Sequence, residues 1–161
     1  MSQDISLEEE IGRLLRACHA TVATAESCTG GYIAHRLTAV AGSSAYFLGG
    51  VVSYANEVKS GLLGVPAGLI ADVGAVSREV VEAMAAGARR RIGSDYAVAT
   101  SGIAGPGGGT SEKPVGTVWM AVACPDGRCV SLCHHFGDRP RWDIIRAAAH
   151  EALSLLKAQL S

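Results

Sequence analysis

The chain has 161 residues, of which 48% are hydrophobic and 18% are charged, and its formal net charge at pH 7 is −1. This is the composition of a globular protein of about one domain, which excludes a disordered or fibrous chain. A nearly neutral chain without a basic tract also excludes a protein that binds nucleic acid through its phosphates. The first ten residues are polar and acidic, no apolar run is long enough for a membrane span, and the five cysteines lack a secretory context. We therefore expect a cytoplasmic protein with reduced thiols.

Hydrophobic periodicity predicts helices and strands that alternate along most of the chain. The first helix begins with a capping box, in which Ser6 is the N-cap and Glu9 follows three residues later. The predicted helices cover residues 6–19, 32–40, 57–63, 77–92 and 141–160. The predicted strands cover residues 21–25, 46–54, 95–101, 115–123 and 128–136.

The order of these elements indicates the fold class. Strands that alternate with helices favour a parallel sheet, whereas the last two strands form a hairpin across residues 125–127 and add antiparallel pairing. We predict an α/β fold, with a single three-layer domain over residues 1–161 and a mixed β-sheet flanked by helices. The apolar faces of the long helices leave a homo-oligomer open.

The first candidate functional segment is the loop that follows the predicted strand 21–25. Ser27 lies on this turn, and the N-terminus of the next helix offers unpaired amides with partial positive charge. Thr29, Gly30 and Gly31 are therefore candidates for binding an oxyanion or a phosphate, since glycine allows a ligand to approach the backbone. A capped helix start explains the same pattern without any function.

A serine nucleophile needs a base. The five histidines lie in predicted helices and strands at positions that do not mark them as partners, although a serine–histidine–aspartate triad stays open. Lys59 lies where a strand meets a short helix, and partial desolvation there would lower its pKa enough for a base. A surface lysine paired with Glu57 is the alternative. Cys28 is a second possible nucleophile, although adjacent residues on a turn rarely point to the same place.

A second candidate segment, residues 102–110, follows a predicted strand and is rich in glycine. Loops of this kind bind anions through their amides, although a flexible structural loop has the same composition. Its spacing matches neither a Walker motif nor a complete GxGxxG. The cysteines and histidines between residues 124 and 135 match the spacing of no zinc site, so we predict no metal.

Taken together, six segments between about residue 7 and residue 156 resemble the CinA C-terminal domain family. They are AESCTGG (25–31), SYANEVK (53–59), GAVS (74–77), SGIAGPGG (101–108), KPVGTVW (113–119) and GDR (137–139). Members of that family include a nicotinamide-nucleotide amidohydrolase and the C-terminal half of a competence/damage-inducible protein. The resemblance implies a serine amidohydrolase that converts nicotinamide mononucleotide and water to nicotinate mononucleotide and ammonia in NAD recycling. It implies no metal and no organic cofactor.

The resemblance also assigns catalytic roles. Ser27 would be the nucleophile and Lys59 the general base, with Tyr54 as a neighbour that supports both. Ser27 would attack the carboxamide carbon and pass its proton to neutral Lys59.

Substrate binding is implied for a second group of residues. Ser101 lies where the family has a hydroxyl residue in its site, Gly102 begins the glycine-rich loop, and Arg139 matches a substrate-binding arginine. The spacing that follows Arg139 leaves open whether Arg139, Arg141 or Arg146 meets the substrate's phosphate.

Two other functions are compatible with these residues. One is a catalytically inactive member that binds a nucleotide or a protein partner and is linked to competence or DNA damage. The other is a different amidase or esterase with the same serine–lysine chemistry. The joint presence of Ser27, Tyr54, Lys59 and Ser101 favours an enzyme, because a pure binding protein has no need for this set.

Overall fold

The computed structural model describes residues 4–161, in which six α-helices and five strands are present. The strands are β1 (Val22–Glu26), β2 (Phe47–Val52), β3 (Tyr96–Gly102), β4 (Thr117–Ala123) and β5 (Cys129–His135). The helices are α1 (Leu7–Ala17), α2 (Tyr32–Thr38), α3 (Asn56–Leu63), α4 (Ala67–Val73), α5 (Arg78–Ile92) and α6 (Arg141–Leu160), and a 3-10 helix (Ser43–Ala45) precedes β2. Within residues 4–161, every helix is too short or too polar to cross a bilayer.

The strands form one mixed sheet in the order β2–β1–β3–β4–β5. β1 is parallel to both β2 and β3, whereas β4 is antiparallel to β3 and β5. This arrangement confirms the predicted α/β fold with a mixed sheet. Glu26, the last residue of β1, is opposite Val52 of β2 and Thr100 of β3. The carboxyl ends of the three parallel strands therefore meet at one edge of the sheet.

Helices cover both faces of the sheet and produce two hydrophobic cores. On one face α1, α2 and α6 pack against valines such as Val22 and Val98, and on the other face α5 packs against alanines such as Ala97 and Ala99. Small side chains on the α5 face allow that helix to approach the strands closely. The fold therefore has three layers, with the sheet between two layers of helices. The carboxyl ends of the parallel strands lie at one end of this middle layer.

Two local features differ from the sequence-based prediction. Helix α4 is not predicted, because Pro66 and Gly68 lie at its start and both residue types are typical of loops. The predicted strand 46–54 ends instead at Val52, so Ser53 and Tyr54 lie outside the sheet. The Ser53 amide still donates a hydrogen bond to the Glu26 carbonyl, at 2.8 Å. Beyond that bond the chain turns away toward α3.

Candidate active site

Ser27 is the first residue after β1, and its backbone is held from the neighbouring strand. Its amide donates a hydrogen bond of 3.0 Å to the carbonyl of Thr100, and the side chain is 9% exposed. The serine is therefore held at the edge where the parallel strands end, on a turn whose backbone leaves it little freedom.

The buried carboxylate of Glu26 organises the turn that carries Ser27. It accepts hydrogen bonds from the amides of Ile33 and Ala34, at 2.8 and 3.1 Å, and from the Thr29 hydroxyl, at 2.7 Å. The two amides belong to the first turn of α2, where the unpaired N–H groups and the helix dipole favour a negative charge. Glu26 therefore joins the end of β1 to the start of α2.

Lys59 lies almost completely inside the protein, with 1% of its surface exposed. Its Nζ is 3.0 Å from the Ser27 Oγ, 2.8 Å from the Ser53 carbonyl oxygen and 3.2 Å from the Tyr54 carbonyl oxygen. Burial lowers the pKa of this amine, against smaller opposite effects of Cys28 and Glu57. Among residues 4–161, no carboxylate forms a salt bridge with Lys59.

The three partners of Lys59 suit a neutral amine. A neutral amine has two N–H groups and one lone pair, and the two backbone carbonyls can only accept. The Lys59 Nζ donates to the Ser27 Oγ when it is an ammonium; when it is neutral, with its two hydrogens donated to those carbonyls, its lone pair can accept the Ser27 hydroxyl proton. The arrangement is that of a general base beside a nucleophile.

Close packing between α3 and α5 sets the depth of Lys59. Gly87 of α5 lies against the backbone of Leu63 in α3, and a Cβ at Gly87 would overlap the Leu63 carbonyl oxygen and lie 2.9 Å from the Leu63 carbonyl carbon. Only glycine permits this approach. It holds α3 against α5, and from there the Lys59 amine reaches Ser27 and Ser53, the residues that directly follow β1 and β2.

Ser27 opens into a cleft of about 250 Å³. Cys28 also borders this cleft, but its side chain belongs to the hydrophobic core on the face of the sheet covered by α1, α2 and α6. Burial raises the pKa of the Cys28 thiol to about 12, so it is protonated at neutral pH and a poor nucleophile. The other lining residues are Tyr54, Gly102, Ile103, Ala104, Gly105, Gly107, Gly108 and Arg141.

Tyr54 and Arg141 meet at the mouth of the cleft. The Tyr54 carbonyl holds Lys59, whereas its ring is exposed and its hydroxyl accepts a hydrogen bond of 2.7 Å from the Arg141 Nη2. The Arg141 Nη1 donates to the Gly105 carbonyl at 2.6 Å. Arg141 thus connects the β2–α3 turn with the glycine-rich loop on the opposite side of the cleft.

Three candidate residues of the turn after Ser27 have structural contacts. The Thr29 hydroxyl is buried between Glu26 and the Thr100 hydroxyl, which is 2.8 Å away. Gly30 and Gly31 have positive φ angles of 59° and 100°, a conformation that glycine adopts without strain. The Gly30 amide donates to the Ser27 carbonyl at 3.1 Å. These residues shape the turn and do not line the cleft.

Two candidate residues on β3 have different surroundings. The Ser101 hydroxyl is buried and donates a hydrogen bond of 2.8 Å to the Ala75 carbonyl, on the α5 side of the sheet. Gly102 borders the cleft. A Cβ added at Gly102 would lie 2.6 Å from the Val118 side chain, so the position has no room for a side chain. The structure therefore brings Gly102, and not the Ser101 hydroxyl, to Ser27.

The three candidate arginines lie at different places relative to the cleft. Arg139 is exposed and lies outside the residues that line the cleft. Arg146 stacks on the Trp142 ring, with its guanidinium carbon 4.8 Å from the ring centroid. Arg141 is the one that borders the cleft. The sequence offers no signal for this choice beyond the three arginines themselves.

Sequence reasoning missed the roles of Glu26 and Lys113. A single charged residue at the end of an apolar strand is the signal that could have identified Glu26 as a buried, functional carboxylate. The Lys113 amine donates to the Val73 carbonyl at 2.8 Å and so ties the segment that follows the glycine-rich loop to the end of α4.

The cysteines and histidines of β5 do not form a metal site. Cys133 and His135 are the side chains in contact, with 3.8 Å between Sγ and Nε2. Within residues 4–161, no three or more His, Cys, Asp or Glu side chains are grouped so that they could hold a metal ion.

Comparison with known proteins identifies the family. The family model described as the CinA C-terminal domain matches residues 4–160. Relatives named CinA-like protein, from Synechococcus sp. (strain RCC307) and Geobacter metallireducens, are each 52% identical to this chain over 160 and 156 residues. These matches cover 99% and 96% of this chain but 38% and 37% of the relatives. The chain thus spans less than two fifths of their length.

Solved structures agree with this result. The competence/damage-inducible protein CihA from Agrobacterium tumefaciens is 42% identical, with a TM-score of 0.90 over 98% of both chains. A CinA superfamily protein from Escherichia coli is 30% identical, with a TM-score of 0.89 over 100% of this chain and 94% of that chain. A family-model match over nearly the whole chain and identities of about one half mean that this chain belongs to the CinA C-terminal domain family.

Proposed function

We propose that this protein hydrolyses the carboxamide of nicotinamide mononucleotide to nicotinate mononucleotide and ammonia, with Ser27 as nucleophile and Lys59 as base. The observation that carries the proposal is the 3.0 Å contact between the Ser27 hydroxyl and a buried lysine whose pKa is lowered. The nature of the substrate rests on the resemblance of the site segments to the nicotinamide-nucleotide amidohydrolase. The chemistry requires no metal or organic cofactor.

The reaction proceeds in two halves. The Ser27 Oγ attacks the carboxamide carbon while the hydroxyl proton moves to the Lys59 amine. This attack forms a tetrahedral intermediate. The ammonium of Lys59 then returns the proton to the departing nitrogen, and ammonia leaves an acyl-enzyme on Ser27. In the second half Lys59 takes a proton from a water molecule, and this water attacks the acyl carbon. The Lys59 ammonium then returns the proton to the Ser27 Oγ as the acyl bond breaks, so nicotinate mononucleotide leaves and the enzyme is regenerated.

The oxyanion of each tetrahedral intermediate needs hydrogen-bond donors. Because the Gly30 amide already donates to the Ser27 carbonyl and the Ser27 amide donates to Thr100, neither is free to act. The Cys28 amide is the next along the turn and its residue lines the cleft, so we assign the oxyanion to it. The neutral Cys28 thiol adds no negative charge beside the intermediate.

The test is ammonia release from nicotinamide mononucleotide by the wild-type protein, S27A and K59M. Two controls make the same chemical changes outside the cleft: S60A removes a hydroxyl from α3, and K157M removes an amine from α6. We expect release by the wild type and both controls, and binding without release by S27A. Release by S27A, or none by the wild type, would contradict the proposal.

A further inference from the structure

Thr100 of β3 contacts the turn of Ser27 at two points. Its carbonyl accepts the hydrogen bond of 3.0 Å from the Ser27 amide, and its hydroxyl lies 2.8 Å from the Thr29 hydroxyl. Thr100 is completely buried and is the residue of β3 that lies opposite Glu26 of β1. Its two contacts therefore hold the residues on either side of Cys28, whose amide is assigned to the oxyanion.

The hydroxyls of Thr100 and Thr29 form a hydrogen-bond chain with one direction. The Glu26 carboxylate can only accept, so the Thr29 hydroxyl donates its single proton to the Glu26 Oε1, at 2.7 Å. The Thr29 oxygen is then left as an acceptor, and the Thr100 hydroxyl donates to it. The chain runs from Thr100 through Thr29 to Glu26, so neither hydroxyl keeps a proton for a ligand.

The carboxylate at the end of this chain is itself held in place. Glu26 is 1% exposed, and two amides at the start of α2 donate to it. Among residues 4–161, no cation forms a salt bridge with Glu26. A buried carboxylate strengthens the hydrogen bond from Thr29 and polarises the one from Thr100. Thr29 is therefore fixed from the α2 side by Glu26 and from the sheet side by Thr100.

We propose that Thr100 is a positioning residue for the Cys28 amide in the reaction of Ser27. This rests on the proposed function. An amide stabilises a tetrahedral intermediate only while it points at the oxyanion. Removal of the Thr100 hydroxyl frees the Thr29 side of the turn, whereas the Thr100 carbonyl still holds Ser27. Because Thr100 does not line the cleft, its replacement should slow the reaction without weakening substrate binding.

The experiment measures kcat and KM for ammonia release from nicotinamide mononucleotide by T100V, in which a methyl group replaces the hydroxyl. We expect kcat to fall by about tenfold to a hundredfold and KM to change less than about twofold, because a catalytic donor is misplaced and no binding contact is lost. T100S keeps the hydroxyl and should restore kcat to within about threefold of the wild type. The matched control is T24V, the same substitution at a buried threonine of β1 whose hydroxyl lies beside Gly50.

T100A removes the hydroxyl without placing a methyl group against Thr29, and it takes the place of T100V if circular dichroism shows that T100V does not fold. Three results would overturn the assignment. They are a kcat within about threefold of the wild type in the folded variant, an equal loss in T24V, and no recovery in T100S.

A second measurement separates the role of Thr100 from the proposed substrate. Phenylmethanesulfonyl fluoride modifies activated serines: the Ser27 Oγ bonds to sulfur, fluoride leaves, and the serine proton passes to Lys59. The sulfonyl oxygens need the same amide donor, so mass spectrometry should show T100V modified about tenfold or more slowly than the wild type and T24V, with no modification of S27A. If the wild type shows this reactivity but releases no ammonia, the proposed substrate fails and the role of Thr100 stands. Equal rates in T100V and the wild type, or an unreactive wild type, would end the proposal.

Discussion

Replacement of Lys59 by methionine separates the chemistry of the lysine from its packing. Methionine keeps an unbranched apolar stem in a site that is 1% exposed, but it cannot take a proton from the Ser27 hydroxyl 3.0 Å away. A positioned general base contributes about 10²–10⁴-fold to a rate. We expect K59M to lower kcat by that factor and to change KM little, because in the proposed mechanism the amine acts on the serine.

Ammonia release under saturating substrate measures this loss, with K157M as the control. Because Ser27 and Lys59 act as one unit, the double variant S27A/K59M should be no slower than the slower single variant. A K59M enzyme that keeps kcat within about threefold of the wild type would refute the assignment of Lys59 as the base.

The lowered pKa of Lys59 adds a pH dependence with a definite sign. In the unfolded chain the amine has its ordinary pKa of 10.5, whereas in the folded protein burial lowers the pKa. Between these two values the unfolded state binds more protons, so the free energy of unfolding of the wild type rises with pH. Relative to K59M, the rise should be about 1.4 kcal/mol per pH unit within that window.

Urea denaturation of the wild type and K59M at several pH values measures this difference in stability. Most other titrating groups contribute equally to both proteins, so their contributions cancel in the difference. The kcat/KM of the wild type should rise through the same lowered pKa, since only neutral Lys59 can act as base. A constant difference in stability across the alkaline range would show that Lys59 keeps its ordinary pKa.

Two further predictions concern the supports of the site. E26Q should lower the free energy of unfolding, measured by urea denaturation, by about 1–3 kcal/mol, because the new amide places a donor against a buried N–H group. The control is E79Q, a change at an exposed glutamate. Equal stabilities of E26Q and the wild type would contradict the assigned contacts. G87A should lower the free energy of unfolding by about 2 kcal/mol or more, because the new Cβ overlaps the Leu63 carbonyl. G61A, whose Cβ would have open space around it, should raise the free energy of unfolding by about 0.5–1 kcal/mol. Similar thermal stabilities of these two glycine variants would contradict the close α3–α5 packing.

The sequence by itself determined the α/β class, the mixed sheet and most of the elements. These follow from local patterns: periods of 3.6 and 2 residues, the Ser6 capping box and a hairpin turn near the C-terminus. The turn of Ser27 between β1 and α2 and the short helix of Lys59 are equally local, because each depends on a few neighbouring residues. The pairing of Ser27 with Lys59 was expected through the resemblance of their segments to one family.

Only the tertiary structure decided which side chains share the cleft. Ser53 and Tyr54 continue the β pattern of the sequence, yet they leave the strand and direct their carbonyls at Lys59. Ser101 directly precedes Gly102, yet its hydroxyl donates to the Ala75 carbonyl on the α5 side of the sheet and so stays out of the cleft. Arg141 reaches the cleft because α6 packs with its first residue beside the glycine-rich loop. Such contacts join residues far apart in the chain, so their geometry depends on how the helices pack on the sheet.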